Sequence, residues 1–531
     1  MAALDVQETG PSLSLGSLGR PTALVTVGGL VGQVFALIRT LFVAARVGTS
    51  PDLDALLVAQ VLPVIVGAII SSGLRQATVP AYLEIAAGRG RVEASRFAGF
   101  VLTWSAIVAV LGMGLLYLFP VQAVAVSGPG LATETSQDAV EFLRIVAPIL
   151  GLSVLWVTLA TLCQADRLFA PIAFGLALNP IVSFAVTVAF WGSMGLQGVA
   201  LGLDLGYVAT IALVAGYLVV RGLRPRLALT YDRDQLERFV RHALPLLAGA
   251  TVVQFNLLAD RATAAILGPG AVSSLNYGQL VVLESIGSLN TAWMLVLYPT
   301  LVHLAQPSRA GLGQGAERAL RYTIVLFMPV VVAAAALAPL VVQVAFERGA
   351  FDATATRTTS VVVAALAPMI LLTMVQPVLT GAHNARRRGG LIALAAGLNA
   401  ALNVILDLVF GLTIGVAGVA LSTSVTIAIV ASVLAVQLHR WEPDFAIRPI
   451  VSTTARSLVA SLVPGAVVAV VVWALMPKLS LFGAVGALVV LAAFGVGAYL
   501  AMARLLRLDE LRPVLEAVAR RFGRTFEAGA R

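Results

Sequence analysis

The chain has 531 residues, 59% of them hydrophobic and 11% charged, with a formal net charge of +9 and mean hydropathy of +0.95. A soluble domain carries roughly 25% charged residues, so water is not the solvent for most of this surface. The excess positive charge lies in short loops between apolar runs, where it reports insertion orientation and excludes a nucleic-acid partner.

The runs are about twice as long as a barrel strand of roughly ten residues, and each approaches the roughly 20 residues that carry a helix across hydrocarbon. They predict an all-α polytopic membrane protein of about fourteen transmembrane helices. After a tail over 1–21, an N-lobe over 22–226 holds spans at 22–46, 54–73, 97–119, 140–163, 168–192 and 195–220. A C-lobe over 227–440 holds spans at 242–267, 272–301, 320–345, 357–381, 389–412 and 415–438. Two extra helices, at 454–476 and 480–504, fall in 441–506, and the basic tail over 507–531 reads as an amphipathic helix resting on lipid. The first twenty residues lack the charged and apolar regions of a cleaved signal peptide.

Arginines mark one side of the membrane. Arg75, Arg89, Arg91 and Arg96 fall in one loop, Arg221 to Arg241 in another, and Arg309, Arg318 and Arg321 in a third. Arg386, Arg387 and Arg388, then Arg440 and Arg448, continue on that side. The opposite loops hold only Arg46, Arg348, Arg357 and Lys478. The alternation predicts that both termini are cytoplasmic.

An internal repeat is visible in paired residues. Ala147-Pro148 recurs as Ala367-Pro368, Leu178-Asn179 as Leu398-Asn399, and Gly198-Val199-Ala200-Leu201 as Gly418-Val419-Ala420-Leu421. The spacing is 220 residues each time (367 − 147, 398 − 178, 418 − 198). That shift crosses six spans, an even number, so the copies enter the membrane in the same direction as two parallel six-helix repeats. Parallel repeats are a hallmark of secondary transporters, whose substrate site lies near the midplane.

Polar residues within the spans are the candidates for function, because a charge at the centre of a spanning helix costs roughly 2.5–3.5 kcal/mol. The first helix carries Gln33 and Arg39, and the second opens with Asp54. The seventh carries Asn256, Asp260 and Arg261, and the eighth carries Asn276, Gln279 and Glu284. These are the candidate substrate-binding residues. Arg39 and Asp54 fit equally well as an ion pair near a helix end, and Asp260-Arg261 fits side chains snorkelling to the interface. Glu284, Asp204 and Asp407 are candidates for ion coupling; Asp204 and Asp407 show no obvious partner and equally suit packing hydrogen bonds. Asn179 and Asn399 read as interhelical glue. The single Cys163 and four scattered histidines offer no disulfide framework and no metal-ligand spacing. No nucleotide-binding motif is present, so no cofactor is expected, and transport would draw on Na⁺, H⁺ or the membrane potential.

Several of these residues carry a family resemblance. Phe346-Glu347-Arg348-Gly349-Ala350-Phe351-Asp352 resembles the outer-loop segment before the tenth helix of MurJ/MviN-type lipid II flippases. Asn256 through Asp260-Arg261, Gly268 and Ser274-Leu275-Asn276-Tyr277 to Tyr298-Pro299 resembles that family's seventh and eighth helices. Gly73 through Gln76-Ala77-Thr78-Val79-Pro80 resembles its second-helix exit. The wider class is the multidrug/oligosaccharidyl-lipid/polysaccharide exporters, with a twelve-helix core. The resemblance implies no enzyme but a flippase of a bacterial inner membrane, carrying an undecaprenyl-diphosphate-linked cell-wall precursor from inner to outer leaflet by alternating access. Arg39 matches the family's cavity arginine and Asp54 its acidic neighbour, whereas Gln33, Gly67 and Leu280 occupy other arginine positions. An ion-coupled exporter of another lipid-linked glycan, drug or metabolite, and a transport-inactive scaffold, stay open as alternatives. Protein partners are not legible in the chain.

Overall fold

The computed structural model describes residues 15–221, 228–283, 311–475 and 479–511. Glu284, the rest of the span expected to reach 301, Tyr298-Pro299 and most of the basic tail lie outside the described residues.

The described elements are helices: α1 (Leu15–Val47), α2 (Pro51–Arg89), α3 (Arg91–Leu118), the short α4 (Pro120–Ser127), α5 (Thr133–Val146), α6 (Pro148–Ala165), α7 (Phe169–Met194) and α8 (Leu196–Val220). After α9 (Arg233–Ile266) and a helix α10 described over 271–283 come α11 (Leu312–Phe346), α12 (Ala353–Leu366) and α13 (Pro368–Ala385). The last four are α14 (Gly389–Ile414), α15 (Val416–Trp441), α16 (Ile447–Leu475) and α17 (Leu481–Leu505). Among the described residues twelve stretches are long and apolar enough to cross a membrane. The seventh and eighth expected spans, α9 and α10, are not among the twelve. Both are described only in part.

The repeat is visible in local geometry. The fourth and tenth spans each break after an alanine, where Pro148 and Pro368 restart the helix; proline has no N–H to continue the ladder and tolerates the first helical position. Arg167 and Arg387 both take positive φ, at 58° and 56°. Gly195 and Gly415 join α7 to α8 and α14 to α15 with φ of 52° and 78°, a left-handed turn that glycine adopts without steric cost.

The chain forms two compact units. The first takes in residues 1–40, 59–123 and 139–250. Within it α1 lies along α7 through Gly28 and Gly32, where any Cβ would collide with the Ala173 and Leu176 carbonyls. Small residues four apart let helix backbones approach closely in lipid, and Phe35 then packs on Phe184 at 6.3 Å. Gly32→Val is expected to destabilise this seam by about 1–3 kcal/mol, the usual cost of overpacking; a melting temperature in detergent equal to that of the parent would refute it. At the arginine-rich end, Tyr82 donates to Asp166 at 3.0 Å and Arg89 pairs with Asp232 at 2.7 Å. Phe97, Phe100, Tyr231 and Phe239 cluster beside them.

The second unit takes in residues 41–58, 124–138 and 251–531. Tyr277 packs on Phe346 and Phe351 at 5.1 and 5.4 Å, and the Ala350 N–H donates to the Ala45 carbonyl at 2.8 Å. The α1–α2 turn is thereby fastened to the α11–α12 turn. Leu337 and Leu340 of α11 bury against Val468 and Val472 of α16 and Ala484 of α17, so the extra helical pair belongs to this unit. At its other end Arg321 holds Glu510 at 2.5 Å, and Thr453 donates to the same carboxylate at 3.0 Å. Burial opposes ionisation of Glu510, but its hydrogen bonds and Arg321 keep the carboxyl below its usual range.

Candidate functional site

The densest buried polarity lies in the second unit, where α9, α10, α14 and α15 meet. Asn256, Asp260 and Arg261 come from α9. Asn399, Asn403 and Asp407 recur every four residues along one face of α14, an otherwise apolar helix, and Ser422 comes from α15. The Asp407 carboxyl accepts a hydrogen bond from the Ser422 hydroxyl and lies beside the Asp260 carboxyl, close enough for the two charges to interact. Asn403 reaches Asp407 at 3.5 Å, and Asn256 donates to Asn399 at 2.6 Å.

Arg261 is the cation of this group. Its guanidinium donates to the Val272 carbonyl at 3.1 Å, to Asn276 Oδ1 at 2.7 Å and to Gln279 Oε1 at 3.2 Å. The same Gln279 amide donates from Nε2 to Asp260 Oδ2 at 3.1 Å. Asp260 is 6% and Arg261 9% exposed, so the expected snorkelling to the interface does not occur. The reason is local: α10 supplies three acceptors at the height of Arg261, which take up three of its N–H groups within the protein.

Asp54 stands at the head of α10. Its Oδ2 accepts from the Gly270 N–H at 2.6 Å and its Oδ1 from the Ser273 N–H at 2.7 Å, two of the four N–H groups that the start of a helix leaves unpaired. Asp54 and Arg39 each have partners within their own unit. Asp54 caps a helix, while Arg39 Nη1 donates to the Ser183 hydroxyl of α7 at 2.5 Å in the first unit. Gln33 is exposed on α1. Gly67, where the resemblance places an arginine, is a packing contact: a Cβ there would lie 2.5 Å from Ser153 Oγ. Asp204 is buried in the first unit with Oδ1 unpartnered.

The charges of that network do not balance. Arg261 offsets one of three carboxyls, Asp54, Asp260 and Asp407. Asp260 Oδ1, Asp407 Oδ2 and Asn403 Oδ1 are also buried oxygens with no hydrogen-bond partner. Two touching carboxylates in low dielectric cannot both stay ionised and uncompensated, and orphaned buried oxygens are costly. The ligand atoms present are all oxygens, which suits a hard cation or a shared proton and not a soft metal. Asp260 borders a cavity of about 390 Å³, lined also by Asn256, Gln279, Asn399, Asn403 and Thr426 among others. A second cavity, of about 360 Å³, lies between α11, α16 and α17 and is lined almost wholly by apolar side chains.

The structure thus brings together Asn256, Asp260, Arg261, Asn276, Gln279 and Asp407, with Asp54 at the head of the same α10, while Arg39, Gln33 and Asp204 belong to the first unit. The sequence by itself does not single out Ser273, Asn403 or Ser422. The four-residue polar stripe Asn399-Asn403-Asp407 was the available signal for one of them. The repeat offers another: shifted by 220 residues, Asp407 and Ser422 fall on Thr187 and Gly202, which form the same seam between α7 and α8. There a Cβ at Gly202 would lie 2.7 Å from the Ser183 carbonyl and 3.1 Å from Thr187 Oγ1, so the first copy is closed by backbone contact where the second carries an acid and a hydroxyl.

Known proteins match this chain over most of its length. The probable lipid II flippase MurJ of Synechocystis sp. is 26% identical over 374 residues, 66% of this chain and 68% of that protein. Its counterpart in Rhizobium meliloti is 29% identical over 347 residues, 62% of this chain and 63% of that protein. The chain therefore spans about two thirds of these curated relatives. Among solved structures, lipid II flippase MurJ in an inward closed conformation superimposes with a TM-score of 0.75 at 20% identity, covering 92% of this chain and all of that one. An inward-facing multidrug resistance transporter of the MATE family, in the MOP superfamily, gives a TM-score of 0.63 at 15% identity over 79% of this chain and 95% of that one. Both share the fold. The sequence model for lipid II flippase MurJ matches residues 43–494, the greater part of the chain, and the protein belongs to that family.

Proposed function

We propose that the protein moves an undecaprenyl-diphosphate-linked cell-wall precursor, lipid II or a close relative, from the inner to the outer leaflet by alternating access. The reading takes both termini as cytoplasmic and the repeats 22–226 and 227–440 as the working lobes, with 441–506 appended. Transport of this kind breaks no covalent bond, so the chain acts as a carrier and not an enzyme. The carrying observation is the buried, charge-unbalanced oxygen cluster that reaches a cavity through Asp260 and Asn403 inside a membrane bundle, within a chain of the flippase family.

Each part of a lipid-linked diphosphate has a matching feature. The diphosphate is anionic and sheds water on entering the membrane, and a guanidinium offers planar, multidentate donors to phosphate oxygens. Arg39 is half-buried and its hydrogen bond among the described residues goes to Ser183, a position suited to that role. The prenyl tail suits the apolar cavity between α11, α16 and α17. Asp260, Asn403, Asp407 and Ser422 form the coupling site, where a monovalent cation or a proton supplies the missing positive charge. Asp54 is the latch that fixes the head of α10 against the α1–α2 segment.

The deciding experiment is complementation of a strain depleted of its own lipid II flippase. The wild-type chain is expected to restore growth, and Arg39→Ala to abolish rescue while the protein still accumulates in the membrane. Rescue by Arg39→Ala as strong as by wild type would remove the guanidinium from the mechanism. No rescue by the wild type, with cation-dependent efflux of another compound from vesicles, would replace the substrate.

A further inference from the structure

We propose that Gln279 is the positioning residue through which cation occupancy at Asp260 and Asp407 is transmitted to the Asp54 latch. The proposal rests on the coupling site read above and adds the path by which that site governs the rest of its unit. An amide side chain has one donor end and one acceptor end, and Gln279 uses both. Its Nε2 donates to Asp260 and its Oε1 accepts from Arg261. Arg261 in turn grips the Val272 carbonyl and Asn276. Val272 lies between Gly270 and Ser273, the two residues whose N–H groups Asp54 holds. The Ser273 hydroxyl and the Tyr277 hydroxyl extend the same turn, donating to the Gly270 and Gly48 carbonyls. A continuous hydrogen-bonded path therefore runs from the cation site to the latch, all of it within one compact unit.

The path responds to charge. With Asp260 ionised, the Gln279 N–H makes a charge-assisted bond, roughly twice as strong as a neutral one, and the orientation of the amide is fixed. A cation drawn to Asp260 takes up that charge and weakens the hold on Nε2. The acceptor end then shifts against Arg261, and the grip of Arg261 on Val272 changes with it. Arg261 stands between Asp260 and Asp54 and interacts with both charges, so the turn that Asp54 caps is sensitive to the state of Asp260. Gln279 itself needs no contact with the cation.

The test uses the full-length chain in lipid nanodiscs, with Cys163→Ala and spin labels at Asp52→Cys and Thr354→Cys, exposed positions beside the two fastened turns of this unit. The inter-label distance distribution is measured in sodium chloride against choline chloride, and sodium binding is measured separately by radiotracer. In the parent, sodium is expected to shift the distribution. In Gln279→Met, sodium still binds, but its effect on the distribution falls about 10-fold, within the usual range of coupling between sites. Gln279→Glu, which keeps the acceptor for Arg261 and removes the donor to Asp260, is expected to lose the shift likewise and serves where the methionine variant fails to fold. A shift of parental size in either folded variant overturns the relay. Loss of sodium binding in both variants, as complete as in Asp407→Asn, overturns it too, by making Gln279 part of the cation site. A parent that binds no sodium overturns the coupling reading itself, and that failure is distinguishable because it appears before any substitution at Gln279.

Discussion

Asp407→Asn is expected to lower cation affinity about 100-fold and to stop cation-dependent transport while leaving the fold in place. Asp407 is fully buried and meets Ser422, Asp260 and Asn403. Asparagine keeps its shape and its bond to Ser422 but removes one of two anionic donors. A hydrogen bond or ligand contact to a charged group contributes about 1.5–3 kcal/mol, which corresponds to roughly 10- to 150-fold in affinity. The first repeat is a natural control for folding, because the equivalent seam between α7 and α8 closes around Thr187 and Gly202 with no acid at all. Radiotracer binding to the purified protein, with growth rescue measured in parallel, decides the matter. Sodium binding and rescue equal to wild type would show that the acids are only packing groups, kept protonated in the bilayer.

Arg261→Met has the largest expected effect on stability, a loss of about 3–5 kcal/mol, the usual result of removing one partner from a buried charge network. Methionine fills much of the volume but leaves the Val272 carbonyl, Asn276 and Gln279 without their donor. It also leaves Asp260 and Asp54 with no cation in the network. Reduced accumulation in the membrane and a lower melting temperature in detergent are expected. Arg39→Met supplies the contrast, since Arg39 is half-buried with one described hydrogen bond, to Ser183. It should leave stability nearly unchanged and abolish rescue. If the two arginines exchanged these behaviours, the division between a structural and a substrate-facing guanidinium would be wrong.

The two arginines mark the limit of what a one-dimensional reading can resolve. Both stand in apolar helices, and both invite the same functional suspicion. The sequence allows each to bind substrate, and equally allows Arg39 to pair with Asp54 and Arg261 to snorkel. Separation along the chain says nothing about which acceptors lie opposite a side chain. Asp54 and Gly270 are more than two hundred positions apart, yet the carboxylate caps the helix that begins there. The polar stripe on α14 was within reach, because spacing of four residues along one helix is a local property. Its partner Ser422 was not, because the register of α15 against α14 is set by packing.

Some features needed only the chain itself. Hydrophobic runs and sparse charge fix a membrane-spanning helical class, because backbone polar groups in lipid must be satisfied within each segment. The duplication was legible because six helices copied without gaps keep their glycines and prolines at a constant offset, and those residues hold the same breaks and turns in the structure, as Gly195 and Gly415 do. Three things came only with tertiary structure: which acids meet, which arginine is satisfied, and where buried oxygens lack partners. Each depends on the rotation and register of one apolar helix against another, and in lipid that alignment is chosen by close packing between helices, which leaves no periodic mark on the sequence of either one.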